Sequence, residues 1–164
     1  MISYPVKYLP PNLTRKDRKK EAAYLAKSRK LYKQGKYFTR PKISSFKSKT
    51  SKYILKARKT YKIKDIKPSK ELAIKTGCFI KSLAKIVNKG EGAYYSSGSR
   101  PNQTAHSWGY ARLASAITGG KSAAIDFNIL ENGCKRNSKA LKLARQARKK
   151  FGYGTRRVPK ITIN

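Results

Sequence analysis

Acidic residues are scarce in this chain. Its 164 residues include 7 Asp and Glu but 41 Lys and Arg, so the formal net charge is +34. That excess lies far outside the usual range of a soluble domain, and like charges in a compact body repel one another. A polyanion or an acidic surface would offset the repulsion. The balance favours nucleic acid as partner, then an anionic membrane surface, then an acidic protein lattice.

Histidine and cysteine are rare as well. His106 is the only histidine, and Cys78 and Cys134 are the only cysteines. Their number and spacing do not fit a zinc site, and two cysteines are too few for a disulfide framework. We expect both cysteines to be buried as small apolar side chains. We predict a protein that is not an enzyme, with no catalytic residue, metal, cofactor or small-molecule substrate.

Long apolar runs are missing too. No run approaches the roughly 18 apolar residues of a membrane span. The first residues lack the charged head and apolar stretch of a signal peptide. We therefore expect the protein in the cytoplasm or nucleus of a host, or inside a particle.

The positive charge concentrates at the two ends of the chain. Residues 1–70 carry 23 basic and 3 acidic side chains, residues 71–130 carry 7 and 3, and residues 131–164 carry 11 and 1. The near-neutral middle favours a hydrophobic core there. We expect three regions: a basic N-terminal arm with two helices at 1–68, a compact helical domain at 69–151, and an extended tail at 152–164.

Helical periodicity dominates between the ends. Prolines 5, 10 and 11 predict an extended arm over 1–13, and no convincing pair of strands is present. The fold class is mainly α, a small domain with a helix-turn-helix-like hairpin flanked by extended basic ends. Capping residues, stop glycines and apolar spacing predict helices over 14–34, 51–61, 69–75, 80–88, 104–118, 122–131 and 138–150.

The hairpin is predicted at 69–88. Its apolar and small positions match a helix-turn-helix, with Ala73 where the helices touch and Gly77 in the turn. Lys81, Ser82 and Lys85 would then face a DNA groove or a phosphate row. An ordinary helical hairpin uses the same small residue and the same turn glycine, and both interpretations stay open.

Two further stretches carry chemical signals. The Gly-, Ser- and Tyr-rich loop at 90–103 could cradle an anion with Arg100 as counter-charge, or could be a packed loop. A general-base role for His106 is the weaker interpretation, and a structural side chain the stronger. The Gly119-Gly120-Lys121-Ser122 run lacks the upstream glycine and strand of a P-loop, so its glycines indicate a helix stop.

Tyrosines alternate with lysines over residues 1–61, a composition that suits stacking on bases or wedging into protein surfaces. Basic side chains of the arm, hairpin, loop and tail are the predicted contacts to nucleic acid or another anion. They are Arg15, Lys16, Arg18, Lys19, Lys20, Lys81, Lys85, Arg100, Arg156 and Arg157.

Several stretches of the chain together form a distinctive pattern. They are residues 4–17 and 67–72 and the stretches Gly92-Ala93-Tyr94-Tyr95-Ser96-Ser97-Gly98-Ser99-Arg100-Pro101, Ser107-Trp108-Gly109, Ala111-Arg112-Leu113 and Gly119-Gly120-Lys121. In these stretches the chain resembles an uncharacterised family of small basic proteins in chloroviruses and related giant DNA viruses. The resemblance implies a large double-stranded DNA virus as source and a virion protein, with no activity that can be assigned to a residue.

Two interpretations follow, and an enzyme is a distant third. In the first, a minor capsid protein lies on the inner side of the shell and cements capsomers through its basic extended arms. Its partners would be the major capsid protein and other minor capsid proteins, with the inner membrane surface within reach. In the second, a DNA-binding or DNA-condensing protein is packaged with the viral genome. Both use the same charge.

Overall fold

The computed structural model describes residues 2–154 and 158–163, and over these the protein is mainly α-helical, as predicted. The helices are α1 (Arg15–Lys33), α2 (Lys52–Tyr61), α3 (Lys70–Thr76), α4 (Ile80–Ser96), α5 (Ala105–Ile117), α6 (Lys121–Ile125), α7 (Phe127–Gly133) and α8 (Lys139–Phe151). Two strands, β1 (Ile2–Pro5) and β2 (Lys160–Ile163), pair antiparallel, and a 3-10 turn follows β1 at Val6–Tyr8.

Several predicted helix starts are confirmed by their capping bonds. Thr14 Oγ1 accepts a hydrogen bond from the Asp17 N–H, and Ser69 Oγ accepts one from the Leu72 N–H. Thr104 Oγ1 accepts from the N–H of Ser107. These hydroxyls satisfy N–H groups that have no partner inside the first helical turn.

The helix predicted to end at Gly90 instead runs through Ser96, so half of the expected loop at 90–103 is helical. Gly90 lets the backbone of α4 approach the backbone of α5 closely. A Cβ at this position would lie 2.6 Å from Gly109 Cα of α5. In the local sequence Gly90 resembles a helix stop, because a contact between two backbones leaves no mark there.

The helix predicted over 122–131 is two helices, α6 and α7, and Ser122 is not its cap. The backbone leaves helical geometry at Asp126, with φ −98° and ψ 21°. Gly120 occupies the N-cap position of α6 without a side-chain bond. The Asp126 carboxylate binds Arg112 and Lys89, two tertiary partners that periodicity could not indicate.

The strand pair was not predicted. Ile2 lies opposite Ile163 and Tyr4 opposite Ile161, so the two ends of the chain pair with each other. A further backbone bond joins the Val6 N–H to the Pro159 carbonyl. Each strand is only four residues long, and such short segments carry too few positions to show alternation.

The chain forms two compact units. The first contains residues 1–49, 91–108 and 157–164, and the second contains 50–90 and 109–156. Both combine segments that are distant in sequence, and α4 and α5 contribute to both. The expected division into an arm at 1–68, a compact domain at 69–151 and a tail at 152–164 stays a prediction.

The first unit has a small core built around its extended N-terminal segment. Leu25 of α1 is fully buried with Leu9, and Tyr4 is almost so. Gly98, at φ +132°, lets the backbone pass Leu25 and Tyr8, since a Cβ there would lie within 3.0 Å of both. The arm residues therefore supply core side chains.

The second unit holds the larger core and the predicted hairpin. Leu72 of α3 and Leu83 and Ile86 of α4 are fully buried in this core, as the motif requires. Gly77 closes α3 in the left-handed conformation at φ +76°. A Cβ at Gly77 would also lie 2.6 Å from Ser138 Cβ, so this position needs glycine for space as well as for conformation.

Cys78 is buried, as expected, and Cys134 is half-buried, but the two are not separate apolar side chains, because they form a disulfide. The bond joins the hairpin turn to the residue after α7. Flanking backbone bonds support it: the Phe79 N–H donates to the Gly133 carbonyl and the Lys135 N–H donates to the Gly77 carbonyl, each at 2.8 Å. A pairing across 56 positions depends on tertiary structure, so cysteine counting alone missed it.

Replacing Cys78 and Cys134 with Ser together should lower the free energy of unfolding by about 2–4 kcal/mol, since the bond restrains a long loop in the unfolded chain. Denaturant titration of the oxidised protein and the double variant measures the difference. Reduction of the wild-type protein should reproduce it. Equal stability of oxidised wild type and variant would contradict the prediction.

Candidate polyanion-binding surfaces

Every charged side chain on the exposed face of α1 is a cation. These cations lie on the same side of the helix, opposite the buried residues, and they are Arg15, Lys16, Lys19, Lys20, Lys27, Lys30 and Lys33. This is the face through which α1 can meet phosphates. Four of the predicted contacts, Arg15, Lys16, Lys19 and Lys20, belong to it. Arg18 does not: it is partly buried and its guanidinium donates to the Pro10 carbonyl at 3.2 Å.

The buried face of α1 holds both of the helix's acids. Helical spacing in the sequence favours a stripe of Ala22, Leu25, Ala26, Arg29 and Tyr32, but the buried residues are Asp17, Glu21, Leu25 and Ser28. Three of these four are polar, so apolar periodicity could not locate the face. With its carboxylates turned inward, α1 leaves its outer charge uncompensated.

Asp17 holds the segment that follows α1. Its carboxylate accepts from the Ser45 N–H at 2.9 Å, while the Thr14 N–H donates to Ser45 Oγ. In a capping box the side chain at Asp17 would accept the N–H of Thr14, and here the Ser45 hydroxyl accepts it instead. The hydrogen bonds from Ser45 hold the pKa of Asp17 below its usual range.

Arg40 is a buried cation that sequence reasoning missed. Its Nη1 donates to the Tyr94 carbonyl at 2.8 Å, its Nη2 donates to Ser99 Oγ at 2.7 Å, and its guanidinium stacks 3.8 Å from the Tyr94 ring centre. The side chain is almost fully buried, and desolvation lowers its pKa. It follows a non-helical stretch, where no periodic pattern could have singled it out.

In the described ion pairs the acidic partner of Arg40 is Glu21. Its Oε1 lies 3.8 Å from Arg40 Nε. Both carboxylate oxygens are buried and accept no hydrogen bond. Burial therefore outweighs the attraction of Arg40 and raises the pKa of Glu21 to about 7.

The loop at 97–103 is committed to the protein's own groups. The Ser97 carbonyl accepts from Arg29 at 2.8 Å, Ser99 is buried against Arg40, and Asn102 bonds the backbone of Ile43. This arrangement favours the packed loop over the anion cradle. Arg100 remains exposed at its edge and is available to an external anion.

His106 lies on the first turn of α5 and is mostly exposed. Its Nδ1 is 2.8 Å from Glu91 Oε1, a surface pair in the first unit. The pair gives His106 a structural partner, in line with the stronger of its two interpretations.

The hairpin in the second unit presents Lys81 and Lys85 to solvent on α4. Ser82, between them, faces inward: a Cβ at Gly133 would fall 1.9 Å from Ser82 Oγ, so the hydroxyl packs against α7. A groove-reading set of Lys81, Ser82 and Lys85 is therefore not presented together. The arrangement favours the ordinary helical hairpin with two surface lysines.

Two other helices of the second unit carry basic faces. On α2, Lys52, Lys56 and Lys59 repeat at helical spacing on the side opposite buried Ala57 and Tyr61. On α8, the buried face is Ala140, Leu141, Ala144 and Ala147, and the outer face is basic. That outer face contains Lys139, Lys142, Arg145, Lys149 and Lys150.

Asp126 is the buried acid of the second unit. Arg112 Nε and Nη2 donate to its two oxygens at 2.8 Å each, and Lys89 Nζ lies 3.2 Å away. Such a forked pair fixes the guanidinium geometry. The Asp126 carboxylate therefore binds cations of the second unit itself. Helices α2 and α8 contain no acidic residue, so no acid within either helix offsets its basic face.

The predicted contacts at Arg156 and Arg157 lie outside the described residues. Within the described residues, no cluster of three or more His, Cys, Asp or Glu side chains could hold a metal ion. No described helix has the length and apolar character needed to cross a membrane. A shallow cleft of about 350 Å³ in the second unit is lined by Ile54, Arg58, Asp65, Ile66, Lys67 and Tyr110.

The fold and these surfaces define a small, strongly basic, mainly α-helical protein whose carboxylates are partly withdrawn into its interior. Residues 5–151 match the model of a family of unknown function, DUF5824, and the chain belongs to that family. No curated protein and no solved structure matches it.

Stability of the first unit should respond to the ionisation of Glu21. Because the folded protein keeps a proton on Glu21 up to about pH 7 that the unfolded chain loses above about pH 4.5, the free energy of unfolding should fall as pH rises through this window. Glu21→Gln should remove that part of the slope, as measured by denaturant titration from acid to neutral pH.

His106→Gln is the matched control, because it alters a side chain of the same unit that pairs with a different carboxylate, Glu91, at the surface. It should leave the Glu21 contribution in place. An unchanged slope in Glu21→Gln would show that this carboxyl does not govern the response.

Proposed function

We propose that this protein is a non-enzymatic structural component of a large double-stranded DNA virus particle, where it binds packaged nucleic acid through phosphate contacts. The observation that carries the proposal is the cationic face of α1, with both acids of that helix turned inward. Lysines on a regular face can neutralise phosphates and release counterions without reading bases.

The distribution of the remaining acids supports the same function. Asp17, Glu21 and Asp126 are buried, which is three of the seven acidic residues. The surface is therefore more basic than the composition alone implies. A phosphate polymer is the partner that offsets repulsion among so many surface cations.

The particle location is supported by two features. The resemblance to giant-virus proteins favours a virion, and the Cys78–Cys134 disulfide fits an extracellular particle better than a reducing host cytoplasm. A position on the inner side of the capsid, beside the genome, is consistent with the resemblance and with the disulfide.

A capsid cement is the second candidate. The paired strands use the described ends of the chain within the first unit, which makes them less suited to threading between capsomers. One observation favours a protein partner: around the turn between α3 and α4, Ile74 of α3 is 81% exposed, Phe79 72% and Ile80 of α4 40%. The disulfide and its flanking backbone bonds hold that turn, so its apolar side chains are presented from a fixed backbone.

Neutralising the α1 face should weaken binding to duplex DNA. For Lys16→Gln, Lys19→Gln and Lys20→Gln combined, we expect the slope of log affinity against log salt to become shallower by about 2–3, close to one unit per lost phosphate contact. Fluorescence anisotropy with unrelated duplexes across a salt series measures the slope and the sequence dependence.

The matched control removes three charges from a non-helical segment: Lys62→Gln, Lys64→Gln and Lys67→Gln, all exposed. It should have the smaller effect. Equal losses would assign binding to net charge without a preferred face, and a shallow slope in the wild-type protein would contradict the proposed function.

The second candidate is tested inside the particle. A photo-crosslinking side chain at position 79 should link to a capsid protein if the apolar turn docks on the shell, whereas one at position 19 should link to DNA. Mass spectrometry identifies the adducts. DNA adducts at both positions would remove the capsid candidate.

A further inference from the structure

Three tyrosine rings form a connected cluster in the first unit. Tyr32 lies in the last turn of α1, Tyr37 in the segment after it, and Tyr95 in the last turn of α4. The ring centres of Tyr32 and Tyr37 are 6.3 Å apart, and those of Tyr37 and Tyr95 are 5.0 Å apart. Both pairs are tilted, by 50° and 44°, an ordinary aromatic geometry.

The middle ring of this cluster is open to solvent. Tyr37 is 71% exposed and Tyr32 is 38% exposed, whereas Tyr95 is half-buried. A ring that keeps most of its surface in water contributes little to the core. Its exposed area is free to pack against another flat apolar group.

The cluster stands on a fixed base. Tyr95 packs edge-on against Tyr94, with ring centres 5.1 Å apart, and Tyr94 is fully buried. Arg40 stacks on the Tyr94 ring, and its backbone N–H donates to the Tyr94 hydroxyl at 3.0 Å. The Tyr95 ring is therefore held in place before any ligand arrives, which reduces the entropy lost on binding.

The surroundings of the cluster are cationic. Lys33 follows Tyr32 directly, Lys36 precedes Tyr37, and both are exposed. The nearby acid on α4, Glu91, is paired with His106. A ligand that combines flat rings with a negative backbone suits this combination of tyrosines and lysines.

We propose that Tyr32, Tyr37 and Tyr95 form a stacking platform for the unpaired bases of a single-stranded nucleic acid. The inference rests on the proposed function and adds a ligand class to it. Aromatic rings beside a basic track bind single strands with little sequence preference, because every base has a π-face. In a duplex those faces are stacked inside, so only the phosphates remain accessible to the α1 lysines.

The test compares a labelled oligo(dT) of about 15 nucleotides with a duplex of equal length by anisotropy at about 200 mM salt, where phosphate contacts are weakened. Tyr37→Ala should reduce single-strand affinity by about 5- to 150-fold, the range for losing one stacked base. It should leave duplex affinity nearly unchanged. Tyr37→Phe should retain single-strand binding, because the ring is kept.

Tyr153→Ala is the matched control, since Tyr153 is 73% exposed in the second unit. It should change neither affinity. The stacking platform would be overturned if the two alanine variants lost equal single-strand affinity, or if Tyr37→Ala lost none. In either case, duplex binding by the wild-type protein would still support the proposed function. Failure of the wild-type protein to bind either nucleic acid at low salt would overturn both.

Discussion

Electrostatic self-repulsion is the constraint on which this structure depends, because 41 cations must share one small protein with 7 acids. Each unit places a carboxylate where it meets a buried or partly buried cation. Glu21 lies beside Arg40 in the first unit, and Asp126 binds Arg112 and Lys89 in the second. An internal cation without such a partner would carry a large desolvation penalty. The scarce acids therefore organise the interior, and the remaining cations stay on the surface.

The two internal pairs differ in strength for a geometric reason. Asp126 receives two short bonds from Arg112, which compensate the loss of water. Glu21 is 3.8 Å from Arg40 and accepts no hydrogen bond, so burial raises its pKa to about 7. Arg40 instead gives its bonds to Tyr94, Ser28 and Ser99. It thereby fixes the ring on which the exposed tyrosines stand, and it connects the charge balance of the interior to the proposed binding surface.

How much could be predicted depended on whether a feature was local. The α8 helix was predictable because Ala144 and Ala147 recur at helical spacing opposite a basic face, and the hairpin was predictable because Gly77 has a conformational requirement. The buried side of α1 was not, since Asp17, Glu21 and Ser28 are polar. Of the predicted contacts, the α1 lysines, Lys81, Lys85 and Arg100 are exposed. Arg18 is turned toward the Pro10 carbonyl, a bond that depends on the path of the arm.

The sequence by itself determined the helical class, several helix starts and the excess of surface charge, because propensity, capping and net charge are properties of neighbouring residues or of composition. Only the tertiary structure decided the Cys78–Cys134 bond, the pairing of the chain ends and the inward turn of the acids. It also decided that Gly90 is a contact between helices and that Tyr32, Tyr37 and Tyr95 meet. These features bring together residues that are not neighbours in the chain, and their proximity results from packing within each unit.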